Sequence, residues 1–126
     1  MFELTINGEV YQFNFGMGFL REIDKRVAAP VDGIPGVKQD MGLRYAVAGV
    51  IDGDVKALVD VLELANKGQN PRLTRAALDS FVEDANTDID ALFEDVTGFL
   101  SKANVTKKVT LELLKVAETQ REKAGL

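Results

Sequence analysis

The sequence predicts an α+β domain dominated by helix, with an N-terminal β-hairpin followed by about six helices. Two observations predict it. Residues 2–15 alternate apolar and polar side chains on either side of Asn7-Gly8, the pattern of two antiparallel strands joined by a two-residue turn. From residue 18 onward apolar residues recur three and four apart in six stretches separated by turn or capping residues. The length, 126 residues, suits a single domain spanning 1–126.

The hairpin is the strongest local signal, because both central positions of its turn require positive φ and Asn-Gly supplies them. A two-residue turn also fixes the register, with Ile6 opposite Glu9, Leu4 opposite Tyr11 and Phe2 opposite Phe13. Phe2, Leu4, Ile6, Tyr11, Phe13 and Phe15 then share one face, while Glu3, Thr5, Gln12 and Asn14 point away and Val10 is an apolar outlier among them. An isolated two-stranded hairpin is marginal in water, so this face is expected to lie on helices or on another chain. Gly16-Met17-Gly18 ends the strand pattern, and Phe19, Leu20, Ile23 and Val27 predict a first helix over 18–28. The run AAPVDGIPG holds two prolines and two glycines, which predicts a loop to about Val37 and the most mobile segment of the chain.

Met41, Tyr45, Ala48 and Ile51 form the stripe of a helix over 39–51, interrupted at Asp52-Gly53. Asp54 is placed to cap the next, 54–67, whose face is Val55, Leu58, Val59, Leu62 and Ala65. Joined by a short turn, the two are expected to pack antiparallel. Thr74 caps a helix over 74–85 that carries Ala77, Leu78, Phe81 and Val82. Thr87 is the expected cap of 87–103, where Ile89, Leu92, Phe93, Val96, Phe99 and Leu100 make a broad apolar face. Asp88 and Asp90 suit the positive end of that helix, and Gly98 weakens it. The last helix, 106–123, puts Val109, Leu113, Val116 and Ala117 on one side, a stripe suited to docking on its own domain or on a partner helix.

Composition narrows the chemistry. With no Cys and no His there is no disulfide framework, thiolate nucleophile, Ser-His-Asp triad or zinc site of the usual ligands, so the chain reads as a non-enzyme. Charge is unevenly placed within a net of -5: residues 70–104 carry 3 basic and 7 acidic side chains, residues 105–126 carry 5 and 3. Between Ala76 and Ser101 there is no Lys or Arg, a distribution that repels phosphate and disfavours nucleic acid as a partner. No apolar run approaches the ~18 to 20 residues of a membrane span, and MFELTING has no basic stretch leading into an apolar one, so no membrane partner and a cytosolic chain are expected.

Three near-motifs have plainer explanations. Gly16-Met17-Gly18 sits where a dinucleotide-binding loop would, yet Arg21 occupies the third glycine position and no parallel strand follows. Asp84, Asn86, Asp88, Asp90 and Asp95 fall at positions 1, 3, 5, 7 and 12 of an EF-hand-length loop, but Ile89 replaces its obligatory glycine and Asp95 its bidentate Glu. Glu22 with Asp24, and Asp52 with Asp54, read as helix and turn surface instead of an acid and base facing across a cleft. No cofactor or metal is expected.

The opening FELTINGEVYQFNFGMGFLREIDKRV, with IDGDVKALVDVLELAN and the acidic stretch ending DIDALFEDVTGFL, resembles the tail assembly chaperones of long-tailed bacteriophages, particularly those infecting Gram-positive hosts. That resemblance covers nearly the whole chain and implies a non-catalytic assembly factor. It implies binding to the tape measure protein, recruitment of tail tube (major tail) subunits, a place in the host cytoplasm and absence from the finished virion. The family often also makes a longer product by translational frameshifting. The candidate client surface is the stripe Val109, Leu113 and Val116 with the exposed edge of the hairpin, an edge that also suits self-association. Two other readings are a structural adaptor retained in a virion or cellular assembly, and a small calcium-responsive module built on Asp84 to Asp95.

Overall fold

A computed structural model describes residues 1–125. Strands β1 (Phe2–Ile6) and β2 (Glu9–Phe13) are followed by α1 (Met17–Asp24), β3 (Ala28–Pro30), β4 (Lys38–Asp40), α2 (Gly42–Ile51), α3 (Val55–Asn66), α4 (Arg75–Glu83), α5 (Ile89–Leu100) and α6 (Lys107–Lys123). The N-terminal hairpin has the register expected from its turn, with Asn7 at φ 53° and Gly8 at φ 79°. Its apolar face folds onto helices. Phe2, Phe15 and Phe99 of α5 form a ring cluster with centroids 5.4 to 6.3 Å apart, and Phe19 of α1 meets Phe15 edge-on at 5.1 Å. Aromatic pairs at such tilted geometries contribute about 0.5–1.5 kcal/mol beyond their buried area.

The outer edge of β2 is closed by α3. Asn14 N–H donates to the Ala65 carbonyl at 2.8 Å, and the Asn66 side-chain amide donates to the Gln12 carbonyl at 3.0 Å. Asn66 is fully buried and bonds four other residues: besides Gln12 it donates to the Pro71 carbonyl and accepts from Leu73 N–H at 2.6 Å and from Arg72 at 3.1 Å. One side chain thus ties the hairpin to α3 and to the connection that leads into α4. Ion pairs reinforce the same region from outside: Arg75 bonds Glu63 at 2.6 Å and Asp60 at 3.0 Å, and Arg26 lies 3.4 Å from Asp60. Lys67 donates to Glu22 at 2.6 Å, a bond that lowers the Glu22 carboxyl below its usual range. A lowered folded-state value means the pair is in place at neutral pH and opens only as the pH falls below the usual carboxylate range.

Helices α2 and α3 are the centre of the domain. Leu58, Val61, Leu62 and Ala65 of α3 are fully or almost fully buried, and α2 touches α1, α3, α5 and α6. The expected stripe of α2 is displaced, however. Leu43, Val47 and Val50 face the core, while Tyr45 is 58% exposed and Met41, Ala48 and Ile51 lie at the margin. GLRYAVAGVI is apolar nearly all round, so its periodicity offers two phases, and the domain buries the one with three branched aliphatics.

The segment after α1 is also more ordered in its hydrogen bonding than the expected loop. The helix stops at Asp24 instead of 28, Ala28–Pro30 pairs antiparallel with Lys38–Asp40, and α2 begins at Gly42 instead of 39. Two successive four-residue turns close this ribbon. Ile34 N–H donates to Val31 O and Val37 N–H to Ile34 O, with Gly33 and Gly36 at φ 79° in the third positions and Pro35 in the second position of the latter. That arrangement is the type II turn, for which Asp-Gly and Pro-Gly are suited. Pro30 sits at a strand end, where its missing N–H leaves no ladder bond broken.

Caps set the remaining boundaries. Asp54 accepts from Lys56 N–H and Thr74 from Ala77 N–H, as expected. Helix α5 starts at Ile89 under an Asp88 cap, whose carboxylate accepts from Ala91 N–H, while Thr87 is turned back toward α4 with its hydroxyl donating to the Phe81 carbonyl at 2.7 Å. α4 and α5 are accordingly shorter than the expected 74–85 and 87–103. The first turn of α2 is capped from another helix: the Asp24 carboxylate at the end of α1 accepts from Leu43 N–H at 3.2 Å.

A candidate client-binding surface on α6

Helix α6 is anchored at its start and free at its end. Thr106 is fully buried and its hydroxyl donates to the Leu100 carbonyl at 2.6 Å, which ties the end of α5 to the first turn of α6. Thr110, one turn on, is also fully buried and donates to the Thr106 carbonyl, so a short side chain lets α6 approach α2 closely. Outside this seam, Arg44 of α2 donates to Glu112 of α6 at 2.8 Å. Both partners are 41–55% exposed, which places the pair among those that contribute about 0–1 kcal/mol.

The stripe Val109, Leu113 and Val116 runs along one flank of this helix. Val109 and Leu113 are half-buried and pack against the core, whereas Val116 is 48% exposed. The stripe therefore meets the helix's own domain over its first turns and emerges into solvent at Val116. Two further apolar side chains lie off it. Leu111 is 54% exposed on the outward side, and Leu114 lies toward α5. The signal for both was present in VTLELLKV, where apolar residues go round the helix instead of holding one line.

Four of the acidic near-motif residues, Asp24, Asp54, Asp84 and Asp88, serve backbone geometry. Asp84 accepts from Asn86 N–H at 2.9 Å and Asp88 from Ala91 N–H at 3.0 Å, so two of the five EF-hand-spaced side chains are committed to turn and cap. Among the described residues no three acidic side chains gather as a metal-holding group. Calorimetric titration with Ca²⁺ is expected to give no saturable micromolar site; a well-defined one-to-one isotherm would show that these carboxylates leave their caps to bind the ion. Glu22 and Asp24 are engaged by Lys67 and by Leu43 N–H, and Asp54 caps α3. No helix among the described residues is long and apolar enough to cross a membrane.

Residues 3–115 match the family described as phage tail assembly chaperone protein. The match runs from β1 into the middle of α6, so Val109 and Leu113 lie inside it and Val116 just beyond. Neither the curated proteins nor the solved structures contain a match to the chain.

Proposed function

We propose that this chain, which belongs to the phage tail assembly chaperone family, holds the tape measure protein in solution during tail assembly and helps to recruit tail tube subunits to it, without catalysis of its own. The observation that carries the reading is the family match over 3–115. The physics is compatible: a long helical client with apolar stripes aggregates unless many contacts cover it, and a small acidic protein supplied in many copies covers it by repeated weak helix contacts. The net charge of -5 would keep such a coated client dispersed. On this reading the chain works in the host cytoplasm and is left out of the finished particle.

Deleting the gene from its phage and supplying it in trans tests that reading. Heads without tails are expected from the deletion, tails from the complemented host, and none of this chain in purified virions. Its presence at fixed stoichiometry in virions would instead support a retained structural adaptor.

α6 is the proposed contact, and its two apolar environments make distinct expectations. Val116→Glu changes an exposed position, so stability should move by no more than about 0.5 kcal/mol while client solubilisation falls. Leu113→Glu puts a charge against the core and should cost about 2 kcal/mol, read as a lowered midpoint in urea. Full client solubilisation by a folded Val116→Glu variant would remove this flank of α6 from the contact. Self-association is part of the same proposal: the outward edge of β1, at Glu3 and Thr5, is the free edge of the hairpin. Sedimentation velocity should show mass rising with concentration, and a strict monomer over a hundredfold range would contradict it.

A further inference from the structure

Helices α5 and α6 diverge after the Thr106 seam and leave a groove of about 470 Å³ between them. Val50 and Ile51 at the end of α2 line it together with Phe93 of α5 and Leu114 of α6. A second hollow of about 420 Å³ shares Ile51 and Arg121 with it and continues along α6. The lip on the α5 side carries Asp90 and Glu94, within the stretch from Ala76 to Ser101 that has no Lys or Arg; Arg121 stands at the α6 side.

Gly98 lines the same groove, in the body of α5. A glycine there weakens the helix relative to alanine. Nothing among the described residues requires it: its φ is not in the positive range, and a Cβ added to it would meet no atom within 4 Å. The contrast is Gly42, where an added Cβ would overlap the Ile23 carbonyl. A helical glycine facing open space beside an apolar floor leaves room for a second backbone to come close to α5 at that point.

We propose that the α5–α6 groove receives an amphipathic helix of a partner, its apolar side chains on Phe93 and Leu114, its lysines or arginines against Asp90 and Glu94, and its backbone closest to α5 at Gly98. The inference rests on the chaperone reading for the identity of the partner as a helical client. It adds a second face of α6, since Leu114 and Val116 are two residues apart and point to opposite flanks.

The test uses the full chain and a designed helical peptide of about 20 residues with a leucine stripe flanked by lysines, beside a mate with glutamates in their place. Fluorescence anisotropy should show the lysine peptide binding at least about tenfold more tightly, with the preference reversed by Asp90→Lys combined with Glu94→Lys. Gly98→Leu puts a side chain into the groove at a position where its Cβ meets no atom within 4 Å, so its melting temperature should equal or exceed that of the parent while the lysine peptide binds at least about tenfold more weakly. Equal binding of both peptides, or undiminished binding by Gly98→Leu, overturns the proposal. So does self-association that Gly98→Leu abolishes while peptide binding is unchanged, which would make a second copy of the chain the occupant. With a co-expressed tape measure protein, solubilisation by both parent and Gly98→Leu would remove the groove and leave the chaperone reading standing, whereas failure of the parent would remove the chaperone reading itself.

Discussion

Gly42→Ala is expected to destabilise the domain by about 3 kcal/mol or more and to lower the melting temperature by roughly 10 °C. The glycine opens α2 where that helix crosses the end of α1, and a methyl group there would overlap the Ile23 carbonyl and stand 2.9 Å from the Asp24 Cα. These are backbone atoms, so no rotamer change relieves the overlap; the helices must separate. Separation also pulls the Asp24 carboxylate away from Leu43 N–H, removing the cap of α2, a loss of about 1 kcal/mol by itself. Gly98→Ala is the matched control, expected to stabilise by about 0.5–1 kcal/mol because the same methyl enters open space on a helix. Thermal and urea unfolding followed by circular dichroism measure both. A Gly42→Ala variant within about 0.5 kcal/mol of the parent would mean that α1 and α2 do not approach so closely.

Asn66→Leu is expected to cost about 3 kcal/mol despite its similar volume and greater hydrophobicity. The substitution leaves Leu73 N–H and the Gln12 and Pro71 carbonyls without the partner that Asn66 supplies, in a place where the side chain itself has no exposure. Leaving the buried Leu73 N–H and the part-buried Gln12 and Pro71 carbonyls unpaired outweighs the gain from burying a leucine, since groups that lose water on folding gain nothing in return. The loss should be felt across segments: amide exchange at Asn14 and Leu73 is expected to accelerate together, because both are held at the end of α3. Acceleration at one alone would mean that Asn66 does not couple the hairpin to the α3–α4 connection.

Much of this architecture is legible from local rules. Asn7-Gly8 set the hairpin register, and Asp54 and Thr74 act as the caps their positions suggest. What local rules do not contain is competition between distant groups. Thr87 has the side chain of a cap, but the Phe81 carbonyl takes its hydroxyl and Asp88 serves instead. The prolines and glycines after Ala28 mark turns correctly, yet whether turns close a ribbon depends on Lys38–Asp40 finding Ala28–Pro30 across them. The face of α2 was ambiguous for a different reason. When nearly every residue is apolar, period alone cannot select a phase, and the helix is oriented by what α1, α3, α5 and α6 present to it.

The same limit applies to the surface. The α6 stripe of Val109, Leu113 and Val116 is a true helical line, but burial against the domain depends on Thr110 and on the angle at which α6 leaves the Thr106 seam. The groove beside it has a sequence trace in Gly98, which reads only as a weak point of the helix until the space around it is known.

Co-expression of the chain with the tape measure protein of the same phage tests the central claim most directly. The client alone is expected in the pellet; with this chain it should move to the soluble fraction and co-purify with several copies of the chaperone per client, counted by light scattering on the isolated complex. A client that stays insoluble beside abundant, folded chaperone, with no complex recovered, would contradict the tape measure assignment.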